Sequence, residues 1–145
     1  MAKLILSMDE MQDDFFSDTA MIGMASAQPG YRLCWLLNNY FDIDLKGYPE
    51  QNIQLKKKGN TFHFPVYQYD LENCCYKHLL YKLKCGAETL LPETKHLDYL
   101  WLIQTADPEH DAQNILKKLK DMPDVQMARA LVTEQIQNSL TNLLV

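Results

Sequence analysis

LLPETKHLDYLWLI, residues 90–103, joins a proline-marked turn to an almost unbroken apolar run. Pro92 has a fixed φ and no backbone N–H, so it suits a turn and not a sheet interior. Beyond it, Leu97, Tyr99, Trp101 and Ile103 alternate with Leu100 and Leu102. Strand side chains point alternately to opposite faces, so both faces here are apolar. That pattern predicts a central strand covered on both sides. Two carboxylates, Glu93 and Asp98, bracket the turn. One reading makes them a pair for acid/base or metal chemistry. The preferred reading is structural. Glu93 accepts from loop amides, Asp98 ties the loop to the strand start, and Tyr99 enters the core with a hydroxyl that needs a partner.

Working outward, TADPEHDAQNILKKLKDMPD (105–124) has the strongest helical signature in the chain. Asp107 is placed as an N-cap, Pro108 fits the first helical position, and Glu109 and Asp111 favour the positive end. Ala112, Ile115, Leu116 and Leu119 form the apolar stripe, with Lys117, Lys118 and Lys120 at the negative end. A strand is expected over 125–133. Upstream, residues 3–8 and 20–26 read as strands. In the second, Met21, Gly23 and Ala25 alternate with Ala20, Ile22, Met24 and Ser26. Leu33, Leu36, Leu37, Tyr40 and Phe41 recur at helical spacing, which predicts a helix over 29–41 with Ser26 as its cap.

The middle reads as a meander. Residues 52–58 and 61–69 form a hairpin about Gly59-Asn60, interrupted at Pro65, which cannot donate to a ladder. Phe62, Phe64 and Val66 point one way; His63, Tyr67 and Tyr69 point the other. Residues 74–85 are expected as a strand with one wet face, Cys75, Leu79, Tyr81 and Leu83 alternating with Tyr76, His78, Lys82 and Lys84. A helix is the competing assignment there. The whole order predicts a single α+β domain over 1–145, with one mainly antiparallel sheet of about five to six strands and two helices packed on it.

Composition bounds the function. The chain has 145 residues, 47% hydrophobic and 23% charged, enough apolar content for one core. A net charge of -5 disfavours nucleic acid as a partner, since a phosphate backbone wants a basic footprint. The N-terminus lacks a secretory pattern, because Asp9, Glu10, Asp13 and Asp14 follow only Leu4-Ile5-Leu6. No apolar run reaches membrane-helix length. A cytoplasmic protein is therefore expected, with Cys34, Cys74, Cys75 and Cys85 as free thiols.

LPETKHLDY (91–99) resembles the signature of the bacterial IPExxxVDY family, with Leu91 for Ile and Leu97 for Val. Pro92, Glu93, Asp98 and Tyr99 match outright. YRLCWLLN (31–38) is similar to that family's early helix, and FPVY (64–67) and NLLV (142–145) are similar too. Cys74-Cys75 and the lysine-rich hairpin have no counterpart in it. The resemblance implies no established activity, substrate or cofactor and carries over no catalytic residue.

The motifs for established chemistries are lacking. There is no P-loop, no Gly-x-Gly-x-x-Gly, no Gly-x-Ser-x-Gly elbow, no Cys-x-x-Cys and no His-x-x-x-His. No metal or cofactor is expected. The acidic run ending at Asp18 lacks calcium-loop spacing and reads as a solvated segment. His63 and His78 with a cysteine form only a remote zinc alternative. Tyr67, Tyr69, Tyr76 and His78 gather on one strand face and suggest a protein contact surface, tyrosine being enriched in such surfaces. The alternative is that the helices cover that face. The expected function is a non-catalytic interaction or accessory module, working with a protein partner or as a homodimer. The second expectation is a small-molecule-binding protein or hydrolase-like enzyme using Glu93, Asp98 and Arg32.

Overall fold

The computed structural model describes residues 19–47, 52–71, 76–85 and 88–132. In chain order its elements are β1 (Thr19–Ala25), α1 (Gly30–Phe41), β2 (Lys46–Gly47), β3 (Ile53–Lys57), β4 (Asn60–Phe64), β5 (Val66–Asp70) and β6 (Lys77–Lys82). There follow β7 (Lys84–Cys85), β8 (Glu88–Thr89), a 3-10 turn (Pro92–Thr94), β9 (Tyr99–Gln104), α2 (Pro108–Leu119) and β10 (Met127–Leu131). Six strands make one sheet in the order β10-β1-β9-β6-β5-β2, every neighbouring pair antiparallel. The expected α+β architecture is thus the observed one. The expected strand at 3–8, the acidic run, Cys74, Cys75 and the apolar tail at 143–145 lie outside the described residues.

β9 is central, paired with β1 on one side and β6 on the other. Tyr99 to Ile103 are all buried, as the two-sided apolar pattern demands. On one face Ile22, Met24, Leu80, Tyr99, Trp101 and Ile103 meet Leu33, Cys34 and Leu37 of α1 and Ala112 and Leu119 of α2. On the other face Met21, Val66, Leu79, Tyr81, Leu100 and Leu102 are covered by Ile53, Leu55 and Phe62 of the hairpin and by Leu90, Leu91 and Leu97. Each fully buried leucine contributes roughly 1.5–3 kcal/mol. The sheet is therefore the middle layer of three.

Five details differ from the sequence expectations. Leu97 packs with Leu100 and Leu102, not with Tyr99 and Trp101, because it precedes the strand in a turn closed by its N–H donating to the Thr94 carbonyl. β6 has no wet face, since His78, Leu79, Leu80 and Tyr81 are all buried between the two cores. Ser26 does not cap α1, whose N-cap is Pro29, and Asp107 makes no side-chain cap bond to α2. The hairpin turns at Lys58-Gly59 (φ 51° and 78°), one residue early, with Lys57 and Asn60 paired across it. Such a two-residue turn with positive φ matches strand twist. Lastly, Tyr40 faces outward, and Cys34 takes the inward place beside Leu33 and Leu37.

Candidate functional site

The 90–98 segment is stitched to the start of α1 through polar contacts. The Asp98 backbone N–H donates to the Met24 carbonyl (2.8 Å), and its carbonyl accepts from Leu83 N–H (2.9 Å). The Asp98 carboxylate accepts from Ser26 N–H (2.9 Å) and pairs with Lys84 Nζ (2.9 Å). The Tyr99 hydroxyl donates to the Gln28 carbonyl at 2.6 Å. Ser26 Oγ donates to the Asp124 carbonyl (2.7 Å), and Gln28 Nε2 reaches Asp124 Oδ1 (3.1 Å). These bonds fix the chain between β1 and α1, a helix lacking a side-chain cap. Desolvation, with Tyr67 and Asp98 nearby, pushes the Tyr99 hydroxyl far above the usual tyrosine range. It is a permanent donor.

An open cleft of about 410 Å³ lies here, lined by Ser26, Gln28, Pro29, Lys82, Lys84 and Asp98 among others. Glu93 is not on its wall; it is exposed on the 3-10 turn, beside exposed Pro92. The structure thus does not join Glu93 and Asp98 in one site. Arg32 is also off this wall, exposed on α1. The oxygens of Asp98 are spent on a backbone amide and an ammonium, as a structural carboxylate's would be.

The tyrosine–histidine face is a layer beneath helices. His78 is buried, and Tyr67 and Tyr69 are half-buried against the α1 and α2 core; Tyr76 alone of the four is exposed, at 36%. α1 and α2 lie on that side of the sheet and cover His78, while Tyr67 and Tyr69 keep part of their surface and Tyr76 stays exposed. Trp101 Nε1 donates to His78 Nδ1 at 3.0 Å. Tyr69 tilts over the imidazole with ring centres 5.9 Å apart, and Phe41 meets Trp101 edge-on at 5.2 Å. Burial lowers the His78 pKa below the ordinary imidazole value, against a smaller opposite pull from Asp111. His78 is a neutral acceptor for the indole.

His63 is exposed on the hairpin, on the opposite side of the sheet from His78. Among the described residues no three His, Cys, Asp or Glu side chains gather in a metal-binding group. Cys34 is free and buried, its thiol donating to the Leu45 carbonyl at 3.2 Å. Desolvation pushes its pKa up to about 11. A thiol held protonated is a poor nucleophile.

The feature that sequence reasoning missed is the outer face of α1. Tyr31 is 75% exposed and Trp35 60%, while Tyr40, 47% exposed, lies on the flank of the helix. Tyr31 and Trp35 are one turn apart and share a face. The signal was present in YRLCWLLN: Leu33 and Leu37 fix the buried side, so Tyr31 and Trp35 must point away from it. No helix among the described residues is long and apolar enough to cross a membrane. No family model matches the chain, and neither does any curated protein or solved structure.

Proposed function

We propose that this chain is a non-catalytic interaction module that self-associates, and that it belongs with the IPExxxVDY family as a cytoplasmic protein. The observation that carries the reading is the exposure of Tyr31, Trp35 and Tyr40 on one helix. Large aromatic side chains left in water are uncommon, and Trp and Tyr with Arg dominate interface hot spots. The engaged oxygens of Asp98 and the separate position of Glu93 support a structural role for the signature segment. Light scattering on the full chain tests the reading. A molar mass rising towards two copies of the 16.9 kDa chain across the micromolar range is expected. A constant monomer mass at all concentrations would count decisively against it.

A second reading, a small-molecule binder at the cleft, is favoured by the cleft itself with Lys82 and Lys84 on its wall. It requires Asp98→Asn to abolish ligand binding while the melting temperature holds. A loss of melting temperature alone returns Asp98 to its structural role.

A further inference from the structure

The outer face of α1 is self-complementary in charge as well as aromatic. Leu33, Cys34 and Leu37 point to the core. At 100° per residue the opposite face carries Tyr31, Arg32, Trp35 and Asn39, and Asp42 follows at the C-cap. All five are exposed. Arg32 is the only charged residue within Gly30–Phe41, and it lies in the first turn. Asp42 closes the helix at its C-cap, with φ 55°. Each charge stands at the end its own helix dipole disfavours, since N-termini attract anions and C-termini attract cations. Among the described residues neither forms a salt bridge.

An antiparallel second copy reverses that mismatch. Arg32 and Asp42 are equidistant in sequence from Leu37, and so are Trp35 and Asn39. A two-fold axis at that level sets each Arg32 against Asp42 and the negative helix end of the other copy. It sets Trp35 near the twofold, over Asn39 of its mate. Isologous contacts require such self-complementarity of one patch. Two-fold pairing of parallel helices would instead put like charges together.

We propose that α1 is a homodimer contact, antiparallel about Leu37, in which Arg32 of each copy pairs with Asp42 of the other. This inference rests on the self-association reading and supplies its geometry. A contact made by a helix of about three turns lies at the small end of interfaces, so dissociation constants are micromolar or weaker.

Charge reversal tests the pairing. Arg32→Glu and Asp42→Lys each create two like-charge contacts in their own homodimers. Lysine is already tolerated at positive φ at Lys58 in this chain. In an equimolar mixture, Glu at 32 of one variant meets Lys at 42 of the other, while native Arg32 and Asp42 meet at the second contact. Each single variant is therefore expected to dimerise about tenfold more weakly than wild type at low salt. Mixing them restores wild-type affinity, with circular dichroism confirming that both fold. Three results overturn the inference distinguishably. If both variants dimerise like wild type, the contact is elsewhere and self-association stands. If both weaken but their mixture stays weak, α1 is in the contact and the register is wrong. If wild type never dimerises, self-association itself fails.

Discussion

α1 and α2 are equal in length and lie on the same face of the sheet, yet their outer faces differ. α2 carries Glu109 and Asp111 in its first turn and Lys117 and Lys118 in its last, each at the end its dipole favours. α1 carries no acid in its first turn and no base in its last, and it exposes Tyr31, Trp35 and Tyr40. The outer face of α2 is built for water. That of α1 leaves large aromatic side chains exposed. Burial against the sheet sets where a helix lies and leaves the composition of its free face open.

The largest effects should come from the inner faces and should be alike. Leu37→Ala on α1 and Leu119→Ala on α2 each remove a fully buried side chain. Each is expected to cost about 2–5 kcal/mol in denaturant unfolding. A small cost on one side alone would break the equivalence of the two helices inside.

The outer faces should then part company. Trp35→Ala is expected to weaken dimerisation roughly thirtyfold, about 2 kcal/mol, with little change in monomer stability. The matched change on α2, Gln113→Ala, should leave the molar mass profile at wild type. Equal effects from both would erase the distinction drawn here.

The attachments of the helices differ too. α1 starts from a segment held by Asp98 and Tyr99, whereas α2 is anchored by the Thr105 hydroxyl donating to Asp111 at 2.6 Å. Asp98→Ala leaves the Ser26 N–H without its acceptor and should cost about 1–3 kcal/mol by thermal melting. Thr105→Ala should cost less, near 1 kcal/mol.

The smallest effect is a pH dependence from His78, buried on the face of the sheet that carries both helices. Its folded pKa is lowered by burial, so the unfolded chain takes up the proton first as pH falls. Stability is full above the ordinary imidazole value of 6.5 and declines below it, towards the folded pKa. The slope from this one group cannot exceed about 1.4 kcal/mol per pH unit. Melts between neutral and mildly acidic pH should show the decline, and His78→Gln, which keeps an acceptor for Trp101, should flatten it.

Much of this architecture was legible in the residues. The two-sided run from Leu97 to Ile103 marked the central strand, and Pro108 with the lysines of 117–120 marked α2. The misreadings have physical causes. Alternation over 74–85 suggests a wet face because His78 is a polar residue, while the fold satisfies it with an indole and buries it. Leu97 reads as part of the strand because the turn closed onto the Thr94 carbonyl leaves no mark in the apolar pattern. Glu93 and Asp98 are close in sequence, but only Asp98 lies on the wall of the cleft beside Ser26 and Lys84. The outer face of α1 was visible in Tyr31 and Trp35, whose meaning depended on knowing which side Leu33 and Leu37 bury.

The central claim is that a second copy covers the outer face of α1, and tryptophan fluorescence reads this directly. The chain has two tryptophans, Trp101 buried in the core and Trp35 exposed. At low concentration acrylamide should quench one population, Trp35, and spare the other. As concentration rises through the association range, the quenchable fraction should fall and its emission shift to shorter wavelength. A Trp35 that stays fully quenchable while light scattering reports a dimer would place the contact elsewhere and contradict the account.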